Sequence, residues 1–95
     1  MGMNKDMQAM GAEFFGVMIV VLVGASTGSA MLTGIALGLM MTMAMAVSAG
    51  HLNPAITLAQ MALQKMEPED GLKYIAAQLA GAAGGFLIYM HVLSE

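Results

Sequence analysis

The stretch SAGHLNPAITLAQ, Ser48 to Gln60, decides how this chain is read. It places Asn53 and Pro54 in the middle of a strongly apolar sequence. An asparagine buried in apolar surroundings is costly unless its amide is hydrogen-bonded. Proline breaks a helix that is already running but starts one well. The pair therefore predicts a new helix, with Asn53 as its N-cap and Pro54 as its first residue. The apolar run after it reads as a helix over Pro54–Gln64. At 1.5 Å per residue that is roughly 16 Å, about half of a ~30 Å bilayer core. Such a helix is too short to span a membrane and too apolar for a surface loop.

Composition sets the surroundings. Of 95 residues, 59% are hydrophobic and only 9% charged, which a soluble domain of this size could not bury. Cysteine is absent, so there is no disulfide framework and no thiolate metal site. The net charge of -3 gives no basic footprint for nucleic acid. GASTGSA (24–30) imitates a signal-peptide cleavage site, but the chain stays hydrophobic beyond it, so the first segment reads as a retained span.

The expected architecture is an all-α membrane protein with one domain over residues 1–95. Spans are predicted over 8–24, 31–47 and 72–93, with the half-helix over 54–64 re-entering from one face. ASTGSA (25–30) reads as a turn, and KMEPEDG (65–71), which holds most of the charge, as an interfacial loop. Two small-residue pairs, Gly34 with Gly38 and Gly81 with Gly85, have the GxxxG spacing that lets helix backbones approach closely. Tyr74 and Tyr89 lie near the ends of the third span, where aromatic rings favour the interface.

Irregular backbone at membrane depth survives only when buried in protein or lining a wet cavity. The segment before Asn53 must be of that kind. The half-helix then points its unpaired N–H groups and positive dipole end at the bilayer centre, a feature of transport sites that also repels cations. The Asn53 amide can donate to a passing water or hydroxyl, and the carbonyls of Ala49, Gly50 and His51 can accept from it. An isolated Asn-Pro pair would mean only a capped helix start in a loop; the flanking spans and the half-length helix reverse that reading.

These residues resemble a known family. HLNPAIT (51–57) is similar to the first Asn-Pro-Ala signature of the aquaporin and glycerol-facilitator family, with Asn53, Pro54 and Ala55 at its centre. AEFFG (12–16) resembles that family's first-helix motif and YIAAQLAGAAGG (74–85) its third helix, in the correct order. The resemblance implies a passive channel for water or small neutral solutes such as glycerol. It also implies that this sequence corresponds to one of two inverted halves. The expected partner is a second copy in the opposite orientation, an isologous pair with Asn53 facing Asn53. By analogy, four such pairs, eight chains, would group together. The resemblance gives Glu13 the role of a buried brace for the loop before Asn53, Gln78 a similar supporting role, and His51 a place along the pore. Counted from Asn53, the family's filter positions fall on Thr33, Met41, Gly50 and Ile56. Thr33 of one copy would meet the other three of its partner. Many members have an aromatic residue at the Thr33 position, and an arginine occupies the second-half equivalent of Ile56. The filter expected here is uncharged and lacks an aromatic ring.

Lys5, Lys65 and Lys73 fall on one side of this topology, which puts the N-terminus in the cytoplasm, although three lysines are few enough to permit both orientations. Met40, Met41, Met43 and Met45 crowd the second span. A thioether site for Cu(I) is one reading; packing and lipid contact are the favoured one, since a spacing of two scatters side chains over different helix faces. With one histidine at the site and no clustered carboxylates, no metal or other cofactor is expected. His91 is read as interfacial, without a role. Two alternative functions are a three-span holin-like pore, which needs no half-helix, and a dual-topology exporter using Glu13 as its proton carrier. No nucleophile, base and metal constellation suggests an enzyme.

Overall fold

The computed structural model describes residues 4–94; residues 1–3 and 95 lie outside the described part. Helix α1 (Lys5–Thr27) runs for 23 residues, past both ends of the expected span. Asn4 starts it by accepting from the Met7 N–H at 2.8 Å. Gly28, left-handed at φ 63°, ends it. Ala25, Ser26 and Thr27 are thus helical, and the turn shrinks to Gly28 and Ser29.

Helix α2 (Ala30–Ala44) is capped by Ser29, whose hydroxyl accepts from Leu32 N–H at 3.0 Å. Its 15 residues extend about 22 Å, short of the ~30 Å core and of the expected span over 31–47. The reason lies in its last turn. The N–H groups of Ala46 and Val47 bond only three residues back, to Met43 and Ala44. The ladder tightens, and the chain turns toward Gly50. Among the described residues two helices, rather than three, are long and apolar enough to cross a membrane: α1 and the fourth helix.

Helix α3 (Pro54–Ala62) is the half-helix, with 9 residues and a length of about 14 Å. It stops two residues before the expected Gln64. Gln64 itself adopts φ 61°, its N–H bonds to Met61 O, and Lys65 N–H bonds to Gln60 O at 2.9 Å. That is a Schellman ending with glutamine in the left-handed position that glycine usually takes. Helix α4 (Pro68–Ile88) begins four residues before the expected Leu72, and a π-helical turn follows over Tyr89–Leu93. Pro68 is suited to a first helical position, and Glu69 and Asp70 complement the dipole in the first turn. Residues 68–71 of the expected loop over 65–71 are therefore helix.

Helix α1 packs against both α2 and α4. At the α1–α4 crossing, a side chain on Gly81 would run into the Phe14 carbonyl oxygen. One on Gly85 would come within 3.0 Å of the Met18 carbonyl. This pair brings two backbones together. The Gly34–Gly38 pair does not: nothing lies within 4 Å of either missing side chain, and both residues are exposed. α2 meets α1 through its other face, around Thr33, Leu37 and Ala44.

The buried apolar core is small and centres on Val17, Ala44 and Leu52. Large apolar side chains point outward along every helix, with Met31 75% and Val92 71% exposed. A surface of that kind fits lipid or another membrane helix as its surroundings. Gly81→Ala is expected to destabilise the protein by about 1–3 kcal/mol through overpacking. Gly84→Ala, whose new carbon would sit 3.6 Å from the Phe14 ring, should change stability by less than about 0.5 kcal/mol. Thermal unfolding of both variants in detergent checks the contrast.

Candidate functional site

Asn53 caps α3 from an extended conformation, and its Oδ1 accepts from the Ala55 N–H at 2.8 Å. The oxygen is thereby used. The Asn53 amide nitrogen has no partner among the described residues and remains a donor at the tip of the half-helix.

The loop leading to Asn53 is held by side chains from α1 and α4 and by its own Ser48. Ala49 N–H donates to the Tyr74 hydroxyl at 2.7 Å. Gly50 N–H donates to Ser48 Oγ at 2.9 Å. His51 N–H donates to Glu13 Oε2 at 3.2 Å, and Leu52 N–H to Glu13 Oε1 at 2.8 Å. Four successive N–H groups are thus tied to side chains. The carbonyls of Ala49, Gly50 and His51 accept no hydrogen bond among the described residues. This division of donors and acceptors leaves a row of carbonyl oxygens available to a hydrogen-bond donor.

Glu13 is the centre of the arrangement. It is completely buried. Besides the two backbone groups it accepts from Ser48 Oγ and Gln78 Nε2, each at 2.8 Å. Gln78 also reaches Thr57 Oγ1 at 3.0 Å, and Thr57 Oγ1 lies 2.8 Å from His51 Nδ1. His51 is only 8% exposed, and its ring centre is 5.3 Å from that of Tyr74. Leu52 takes φ 51°, a left-handed conformation costing about 1–3 kcal/mol in a bulky residue. Its N–H bond to Glu13 and the seating of its side chain against Gly16 hold it there. Gly50, at φ 69°, has the Met41 carbonyl 2.7 Å from where a side chain would begin, so only glycine fits.

Tyr74 is not the interfacial anchor expected from its place near a helix end. It is 8% exposed, and its hydroxyl orders Ala49. Ser48 and Thr57 carry parts of the network that the sequence reading did not single out. The spacing of Tyr74 and Gln78, four residues apart on one helix face, was the available signal for the tyrosine. Nothing local pointed from Ser48 to Glu13 or from Thr57 to Gln78, which lie 35 and 21 residues away in sequence.

Of the four filter positions, Met41 and Gly50 meet through the contact just described. Thr33 is two turns earlier on α2, about 12 Å along the axis. Its hydroxyl donates to Ser29 O at 2.7 Å. Ile56 lies half-buried in the first turn of α3. One chain therefore leaves Thr33 apart from Met41 and Gly50. The Lys73 amine bonds to Asp6 at 2.7 Å, which brings the starts of α4 and α1, with Lys5, to the same end of the bundle.

Comparison with known proteins gives this geometry a context. The model of the major intrinsic protein family matches residues 2–95. The chain belongs to the major intrinsic protein family. Glycerol uptake facilitator protein-like 6 of Lactiplantibacillus plantarum is 35% identical over 75% of the chain and 37% of its own length. Propanediol uptake facilitator PduF of Salmonella typhimurium is 33% identical over 90% of the chain and 38% of its length. Aquaporin-5 of Homo sapiens is 35% identical over 87% of the chain and 36% of its length. The chain thus spans less than two-fifths of each of these relatives. No solved structure gives a significant match. Family membership, with α1 and α4, makes this an integral membrane protein.

Removing the Glu13 acceptor strands several buried donors at once, at about 1–3 kcal/mol each. Glu13→Ala should therefore prevent stable folding, and Glu13→Gln should destabilise strongly. Tyr74→Phe strands only the Ala49 N–H and should lower stability by about 1–3 kcal/mol. Unfolding in detergent, with amide exchange at His51 and Leu52, checks the order of these effects.

Proposed function

We propose that the chain is one half of a passive channel for water or small neutral solutes such as glycerol, completed by a second copy inserted in the opposite orientation. The observation that carries this reading is the loop before Asn53. Its N–H groups are tied inward, while three successive carbonyls and the Asn53 amide nitrogen have no partner among the described residues. Polar backbone of that kind is unstable against lipid and suited to a water-filled path. The names of the relatives, uptake facilitators for glycerol and propanediol and an aquaporin, support the solute class. The family is one of channels and transporters, not enzymes.

In this reading α2 and the turn after it cross the membrane together, and the half-helix re-enters beside them. The two copies bring their Asn53–Pro54–Ala55 tips together at the midplane, related by a two-fold axis in the membrane plane. Thr33 of one copy completes a constriction with Met41, Gly50 and Ile56 of the other. The exposed α2 face bearing Gly34 and Gly38 allows a close approach by the second copy. Such pairs group in fours. The lysines, gathered at one end, favour that end in the cytoplasm, and their small number permits the inverted copy. A proton-coupled exporter is disfavoured, because Glu13 is completely buried and already accepts four hydrogen bonds.

Purified protein in proteoliposomes should pass water or glycerol down its gradient with no proton gradient applied. Asn53→Asp should reduce that flux. Because the chain has no cysteine, Asn53→Cys supplies a single thiol, and oxidative cross-linking should give a dimer. No flux from the purified chain alone would sink the two-copy reading.

A further inference from the structure

Thr57 Oγ1 is completely buried between two nitrogens, Gln78 Nε2 at 3.0 Å and His51 Nδ1 at 2.8 Å. The direction of these bonds follows from Glu13. Gln78 Nε2 lies 2.8 Å from Glu13 Oε1. A carboxylate only accepts, so the amide nitrogen of Gln78, and not its oxygen, faces it. Gln78 gives one N–H to Glu13 and the other to Thr57. The amide keeps this orientation although its Oε1 is left buried without a partner.

Thr57 must then send its own hydrogen elsewhere. Thr27, Thr33 and Thr42 send theirs to the carbonyl four residues back, at 2.7, 2.7 and 2.9 Å. Thr57 makes no such bond among the described residues, and its remaining neighbour is His51 Nδ1. Nδ1 is therefore an acceptor, and the ring carries its hydrogen on Nε2. Nε2 has no partner among the described residues, yet it is not a buried orphan, a condition that only Gln78 Oε1 meets there. The Nε2–H edge is accordingly accessible at the surface of the chain.

We propose that Gln78 and Thr57 are positioning residues that, oriented by Glu13, hold His51 as the neutral Nε2–H tautomer. The half-channel then offers an N–H donor beside the carbonyl acceptors of Ala49, Gly50 and His51. This rests on the channel reading above. A water or alcohol hydroxyl can donate to a carbonyl and accept from the ring. A cation meets an N–H rather than a lone pair, and no outward ring nitrogen takes a proton from a water file. The opposite polarity requires a protonated Glu13 donating to a turned Gln78. It would reverse each bond in the chain and end with an Nε2 lone pair facing out.

Nitrogen NMR of the full chain, labelled with 15N-histidine in lipid vesicles, tests the assignment. His91→Asn removes the other histidine signal. The expected spectrum shows His51 as one tautomer, with Nε2 protonated and Nδ1 not. Thr57→Val should give mixed tautomers and a several-fold lower water flux, and Thr57→Ser should restore both. A protonated Nδ1 in the unsubstituted protein overturns the proposal, as does an unchanged single tautomer in Thr57→Val. The spectrum of the unsubstituted protein decides the tautomer without the variants. Absence of flux in the same vesicles would bear on the channel reading and leave the tautomer result standing.

Discussion

Four donors converge on the carboxylate of Glu13, and the remainder of the site is arranged around satisfying them. A buried carboxyl group is stable only when its oxygens are hydrogen-bonded. Glu13 meets that demand with two backbone N–H groups of the loop, a serine at the loop's start and a glutamine of α4. The acid thereby joins α1, the loop and α4. Around this one buried carboxylate, the loop adopts a left-handed leucine at 52, and its carbonyls at 49, 50 and 51 accept no hydrogen bond among the described residues. An irregular segment without such a brace would have its N–H groups unpaired and no reason to hold one shape.

The half-helix depends on the same constraint. Its start is specified locally, by the Asn53 cap and the fixed φ of Pro54. Its placement is not local. Thr57, one turn into α3, bonds to Gln78 of α4, and Gln78 bonds to Glu13 of α1. The dipole end of α3 is therefore fixed relative to both long helices through two side-chain hydrogen bonds. Because each of these groups has limited donor or acceptor capacity, the network also has a direction, and that direction reaches the histidine ring.

The two glycine pairs show how one sequence pattern serves different surroundings. Gly81 and Gly85 are consumed inside the chain, against the carbonyls of Phe14 and Met18. Gly34 and Gly38 remain open on the outer face of α2. GxxxG spacing says that a close approach is available, and it does not say to what. The same holds for the tyrosines. Position near a helix end suggested the interface for Tyr74, but a loop that folds back beside α4 needed an acceptor there.

Much of this protein is determined by local sequence. The apolar composition specifies a membrane environment, and the Asn53–Pro54 pair specifies a half-helix start, because both effects act within a few residues. The same is true of the caps at Asn4 and Ser29. Element ends were less legible. Whether α2 stops at Ala44, and whether Gln64 turns left-handed, depends on how the following segment is pulled away. Only the tertiary structure decided the partners of Ser48, Thr57 and Tyr74, and the hydrogen position on His51. Those outcomes rest on hydrogen bonds between residues 6 to 65 positions apart, whose directions follow from a carboxylate that can only accept. The sequence names the donors and acceptors, and packing three helices around Glu13 decides which of them meet.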